Sequence, residues 1–290
     1  MPTADRAPSE PQAALLGVPY DGGATHHPGA RFAPWSVREA SATIQPYHTG
    51  HHLDVFARLR AVDGGNVVFP PFDSRQVREA IEKHAAHLLS EGVAPFVVGG
   101  DHSIALPLLR AVAAKHGPVH VLHFDAHLDT SGPEIWGEDF HHGSPLRHAL
   151  KEKLIAPKGL IQVGLRASWG SAEDGELAGS HGARMISADQ FNDRGPTELG
   201  QSIKRDLAGK PVYLTFDVDA FDPSFAPGTG TPEPGGLYPR EVFRLLRELS
   251  GIQLVGMDVV EVCPARDVNG ATSLLAAHVL FEGLALAALR

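Results

Sequence analysis

The sequence predicts an α/β fold of three layers, with helices on both faces of one open, mainly parallel sheet. Three observations lead there. Short runs of apolar, often β-branched residues alternate along the chain with longer amphipathic stretches. The runs are continuously apolar, the pattern of strands covered on both faces. The 290 residues, 43% hydrophobic and 20% charged, supply enough apolar mass for a large core. A closed barrel of eight βα units would need more regular spacing.

The elements follow in order. The opening MPTADRAPSEPQ is polar, contains proline and has no apolar signal core. Residues 1–12 are therefore expected to form a flexible segment ahead of a single domain, 13–290. Candidate strands are Ala13–Val18, Ala94–Val98, Val119–Phe124, Leu160–Leu165, Val212–Val218 and Ile252–Val259, most of them bounded by glycine or proline. Between them the apolar spacing predicts helices over Ser74–Ser90, Ile104–Lys115, Thr197–Leu207, Pro239–Leu249 and Thr272–Leu289. His278 and Glu282 interrupt the most apolar stretch, Leu274–Leu289, so it reads as a buried helix and not a membrane span. Ligands of open parallel sheets collect beyond the carboxyl ends of the strands, so polar residues just after each run are the first candidates for chemistry.

Charge and cysteine usage narrow the class. Lys and Arg number 25 against 34 Asp and Glu, a formal charge of −9 that argues against a nucleic-acid partner. The single cysteine, Cys263, excludes an intrachain disulfide and a thiolate zinc cage, and suits a reducing, cytoplasmic setting.

Three strand ends carry metal-type ligands. Val119–Phe124 runs into Asp125, His127 and Asp129 at alternating positions, which share one side if the chain stays extended. Val212–Val218 ends in Asp217 and Asp219 in the same manner, with Asp222 before Pro223 reading as a turn residue. Ala94–Val98 leads through Gly99-Gly100-Asp101 to His102, the glycines allowing a sharp turn. No comparable set is evident elsewhere in the chain. Four carboxylates match two divalent cations, and a thiolate-free, carboxylate-rich set selects a hard or borderline metal: Mn²⁺ first, with Ni²⁺, Co²⁺ or Zn²⁺ as alternatives. A water between two such ions loses a proton near neutral pH and becomes a nucleophile.

These residues carry a resemblance. GGDHS at 99–103, FDAHLD at 124–129, HHGSP at 141–145, FDVDAFDP at 216–223 and GMDVVEVCP at 256–264 resemble the signature blocks of the ureohydrolase (arginase and agmatinase) family. The similarity extends from GVPYDGGATHHPGARFAP at 17–34 to the last helix. It implies an arginase-like fold around an eight-stranded sheet, assembly into homo-oligomers (trimers or hexamers), and two Mn²⁺ per subunit. His102, Asp125, Asp129 and Asp217 would hold one ion; Asp125, His127, Asp217 and Asp219 would hold the other. Glu261, after the strand Ile252–Val259, would grip the planar guanidinium of a small substrate. His142 would shuttle a proton to the departing amine, with His141 beside it at the surface or behind the site. Thr231, in PGTGTPEPGG at 227–236, would help shape the pocket floor.

The implied reaction cleaves a guanidino compound to urea and an amine. Ala167, Ser168 and Trp169 follow GLR at 164–166, where arginases place acids that hold an α-amino group, which disfavours an amino-acid tail. The loop 130–141 contains Glu134, Glu138 and Asp139 and no Lys or Arg, so a cationic tail is expected, as in agmatine, which would yield putrescine. Carboxylate-tailed substrates, as for guanidinobutyrase or proclavaminate amidinohydrolase, remain the alternative. A calcineurin-like phosphoesterase would need a Gly-Asn-His turn and an H-x-H pair that this chain lacks. A single-zinc deacetylase would not need the full carboxylate set, and an inactive partner subunit would have lost ligands.

Overall fold

The computed structural model describes residues 10–290, so residues 1–9 of the expected N-terminal segment lie outside the described residues. The chain begins with β1 (Ala13–Gly17), α1 (Ala33–Ser41), the short ribbon β2 (Tyr47–His48) and β3 (Leu53–Asp54), α2 (Val55–Arg58) and β4 (Ala61–Asn66). It continues through α3 (Ser74–Ser90), β5 (Ala94–Val98), α4 (Ala105–His116), β6 (Val119–Phe124), α5 (Pro133–Trp136), α6 (Pro145–Lys151) and β7 (Ile155–Leu165). Then come α7 (Ala172–Ser180), β8 (Arg184–Ser187), α8 (Ala188–Arg194), α9 (Pro196–Leu207) and β9 (Pro211–Asp217). The chain ends with α10 (Pro239–Glu248), β10 (Gln253–Val260) and α11 (Ala271–Ala288).

Eight strands form one sheet in the order β4-β1-β5-β10-β9-β6-β7-β8, every neighbouring pair parallel. The six central strands are the six predicted ones. The two that escaped prediction, β4 (AVDGGN) and β8 (RMIS), are the edges. An edge strand has only one neighbour and is partly solvated, so it lacks the continuous apolar run that marks a central one.

Strand alternation sorts the core into two layers. Leu15, Phe96, Val98, Leu122, Phe124, Leu214, Phe216 and Met257 face α1, α9, α10 and α11. Leu16, Val97, Val121, Leu160, Tyr213 and Val260 face α3, α4 and α6. Helix α11 is long and apolar enough to cross a membrane, but 72% of that window is buried against the sheet and its neighbouring helices, as expected of a core helix.

Candidate metal centre and active-site cleft

The sheet's carboxyl edge gathers the candidate ligands, through turns and not through extended chain. Asp125 leaves β6 and its Oδ1 accepts the His127 amide at 2.6 Å; Asp217 leaves β9 and its Oδ1 accepts the Asp219 amide at 2.8 Å. Residues Val218–Ala220 are a 3₁₀ turn. The expected extended alternation is thus corrected: each leading aspartate folds its own loop into a turn. The third loop depends on Gly100, where an added Cβ would lie 1.7 Å from the Tyr20 carbonyl oxygen. Asp101 then caps the turn at Ser103 N and anchors Gly23 N at 2.7 Å. Burial and the nearby Glu261 push the Asp101 carboxyl up to about 6.

Two groups result. His102 Nδ1 lies 3.1 Å from Asp125 Oδ2, 2.9 Å from Asp129 Oδ2 and 3.3 Å from Asp217 Oδ2. His127 Nδ1 lies 3.2 Å from Asp125 Oδ1 and 3.0 Å from Asp219 Oδ2. Asp125 therefore belongs to both, one oxygen to each. Asp217 approaches the first group with Oδ2 and spends Oδ1 on the turn.

The donor set fits divalent cations. One imidazole nitrogen cannot hydrogen-bond three carboxylates, and His102 Nδ1 and Asp129 Oδ2 are buried without a directed partner. Separations near 3 Å between converging donors match the edges of a coordination shell with bonds of roughly 2.1 Å. Among the described residues histidines are the only basic side chains that pair with these four carboxylates. Burial and neighbouring carboxylates push Asp217 and Asp219 upward. Burial opposes a charge on His127, yet Asp219 and Asp125 push it up to about 12. Acids this close demand positive charge.

Two of the site carboxylates are among the six non-glycine residues with positive φ in the described residues. Asp129 (φ 56°) and Glu261 (φ 65°) occupy the left-handed region, costing about 1–2 kcal/mol for a non-glycine residue. Nothing in the sequence marks this strain.

A cleft of about 280 Å³ opens above the groups, lined by Thr25, His127, Ser131, Trp136, His142 and Trp169, among others. His142 lies on its wall, with Nε2 2.7 Å from Thr25 Oγ1 and Nδ1 2.9 Å from Glu261 Oε1. Burial opposes the His142 charge, but Glu261 pushes it up to about 9. Glu261 itself is buried behind His142; Oε1 also accepts the His102 amide at 2.8 Å. Its Oε2 makes neither bond and lies near Gly230. Thr231 lines the cleft and donates to Asp219 Oδ2 at 3.3 Å. His141 lines it too and is 97% buried by its 3% exposure, so it is not a surface residue.

The structure corrects two further expectations. Glu134, Glu138 and Asp139 do not line the cleft: Glu134 faces Arg147, Glu138 caps the amides of Asp139 and Phe140, and Asp139 lies beside His148. Their loop contributes Ile135 and Trp136 to the wall instead. A second ligand-type set also exists, His48, His51 and Glu282, invisible in sequence because 234 residues separate His48 from Glu282. Sequence reasoning also passed over His123, Thr215 and Asp258, polar residues inside apolar strand runs whose burial signals their engagement.

Paired aspartate–histidine groups sharing one carboxylate, at the edge of a parallel sheet and under an open cleft, are what a hydrolase with a binuclear metal centre requires. The comparisons narrow this. The arginase family model matches residues 11–285. Proclavaminate amidinohydrolase from Streptomyces clavuligerus is 40% identical over 96% of this chain and 90% of its own. Its solved structure superposes with a TM-score of 0.91, covering 99% of this chain and 97% of that one. An agmatinase from Neisseria meningitidis is 41% identical over 94% of this chain and 86% of its own, and a guanidinobutyrase from Pseudomonas aeruginosa is 39% identical over 94% and 85%. The chain belongs to the arginase family and is an amidinohydrolase, hydrolysing carbon–nitrogen bonds of guanidino compounds.

Proposed function

We propose that this enzyme hydrolyses a guanidino compound with a cationic tail, agmatine first, to urea and an amine. The observation that carries the tail assignment is the cleft wall: no Lys or Arg lines it among the described residues, so a carboxylate tail would find no guanidinium or ammonium to pair with. Trp136 and Trp169 offer half-exposed aromatic faces at the mouth, worth about 0.5–1 kcal/mol each to a stacked cation. The second reading, a carboxylate tail, is favoured by the similarity to proclavaminate amidinohydrolase and guanidinobutyrase.

His102, Asp125, Asp129 and Asp217 would hold one cation and Asp125, His127, Asp217 and Asp219 the other, Mn²⁺ being the first choice for this donor set. When bound, such a pair supplies hydroxide at neutral pH and a counter-charge for the tetrahedral intermediate. Glu261 orients His142 through Nδ1 from behind the cleft wall and sets the charge beside the guanidinium through it. His142, on the cleft wall, delivers a proton from Nε2 to the leaving nitrogen. Thr231 steadies Asp219 from the floor.

Urea release from agmatine, 4-guanidinobutyrate and arginine, each with added Mn²⁺, tests the reading. Highest kcat/KM on agmatine is expected; a clear preference for a carboxylate-bearing compound overturns the tail assignment.

A further inference from the structure

Four adjacent strands carry a polar side chain at one level of the sheet, on the face covered by α4. Gln162 on β7 pairs in register with His123 on β6, His123 with Thr215 on β9, and Thr215 with Asp258 on β10. All four are fully buried and none lines the cleft. Such a row is costly unless its members are hydrogen-bonded, and only Gln162 Oε1 lacks a partner. Asp217 lies two residues beyond Thr215 on β9, and Asp125 two residues beyond His123, just past the end of β6, so the row sits directly beneath the candidate ligands.

The hydrogens in the row can be assigned. The Leu128 carbonyl only accepts, so the Gln162 amide turns its NH₂ toward that oxygen at 2.9 Å and toward His123 Nδ1 at 3.0 Å. His123 then carries its hydrogen on Nε2 and donates it to Asp125 Oδ2 at 2.8 Å. On the other branch, Asp258 accepts from the Tyr213 hydroxyl at 2.7 Å and from the Thr215 hydroxyl at 2.6 Å. With its hydrogen committed, Thr215 Oγ1 accepts from His102 Nε2 at 2.8 Å. An imidazole that keeps its hydrogen on Nε2 presents the Nδ1 lone pair, and Nδ1 is the atom that faces Asp125, Asp129 and Asp217.

We infer that this row is a positioning layer for the cation centre. Asp258, held by Tyr213, acts through Thr215 to set the tautomer and orientation of His102, as Gln162 acts through His123 on Asp125. The inference rests on the reading of His102 and Asp125 as ligands; His123 itself lies within ligand reach of them, but its Nε2 hydrogen is turned to Asp125, and Gln162, Thr215 and Asp258 stand behind.

Thr215→Val removes the acceptor at nearly constant volume, and Thr215→Ser restores it. Each metal-stripped protein is titrated calorimetrically with Mn²⁺ alone, and its metal-free thermal melt is recorded. Wild type and Thr215→Ser should bind two Mn²⁺ per chain with similar affinity. Thr215→Val should bind one of the two about 10–100-fold more weakly, the usual effect of losing an outer hydrogen-bond partner. A lowered metal-free melt with wild-type Mn²⁺ affinity would show a merely structural residue and overturn the inference. Wild type that takes up no Mn²⁺ would overturn the ligand reading itself, a distinguishable failure. Should Thr215→Val not fold, Tyr213→Phe serves: a severalfold affinity loss is expected, and unchanged affinity overturns the inference.

Discussion

Among the described residues two clusters of histidine and carboxylate have the reach of a cation site, and only one is built for cations. At the sheet edge, four aspartates converge on His102 and His127, and no Lys or Arg pairs with them among the described residues. Between the β2–β3 ribbon, α10 and α11, Glu282 meets His48 and His51, but Arg247 already grips its Oε1 with two hydrogen bonds, at 2.9 and 2.6 Å. The tautomer is committed as well. His48 Nδ1 accepts the His51 amide at 3.1 Å, so Nε2 carries the hydrogen and donates it to Glu282 Oε2 at 3.0 Å. A cation at Nε2 would have to displace that hydrogen to Nδ1 and so break the hydrogen bond from the His51 amide. Ligand-type residues within reach of one another are therefore not enough; uncompensated charge and a free lone pair decide.

The largest test breaks the first cluster. Asp125→Asn should lose metal and activity together, by more than the roughly 100-fold typical of an outer-shell partner. Metal analysis of wild type loaded with excess Mn²⁺ should give two ions per chain and not three, since the Glu282 cluster takes none. Glu261→Gln comes next. Its kcat should fall by about 10²–10⁴, the range of a general acid–base partner, with metal content unchanged; metal loss would make Glu261 a structural residue.

Arg247→Met probes the other cluster and should reverse the pattern, leaving metal content and kcat intact while destabilising the fold. Denaturant melts should show a loss of about 2 kcal/mol, below the usual cost of breaking a fully buried pair because the guanidinium is 43% exposed. The pH dependence follows the same bonds. Burial alone would raise the Glu282 carboxyl, but hydrogen bonds from His48 and Arg247 hold it below its usual 4.5. A depressed folded value means stability that is present above pH 4.5 and drains away as pH falls through the folded pKa. Melts between pH 6 and pH 3, about the span needed, should show a steeper acid loss in wild type than in Arg247→Met. The smallest effect belongs to Glu138→Gln, which should change kcat/KM for agmatine less than about twofold, because that carboxylate caps its own loop away from the cleft.

The comparison also shows what a linear reading can reach. Asp125, His127, Asp129, Asp217 and Asp219 follow apolar runs within a few residues, so their gathering was legible once the runs were read as parallel strands. Edge strands β4 and β8 were not, because partial solvation removes the apolar signature. Glu282 was legible only as an interruption in an apolar helix; its partners His48 and Arg247 come from distant elements. The direction of the loop acids was not legible either, since whether Glu138 faces a cleft or its own amides depends on a turn of a few residues.

By itself the sequence determined the layered architecture, the inventory of ligand-type groups at three strand ends and their excess of negative charge, since these follow from local periodicity and composition. Only the tertiary structure decided which oxygen of Asp125 meets which histidine, which nitrogen of His102 is left free, that Glu261 stands behind His142, and that tryptophans stand in the cleft wall where the loop acids Glu134, Glu138 and Asp139 do not. Those are matters of register between strands and of hydrogen-bond direction across them, and a chain acquires both only when it closes on itself.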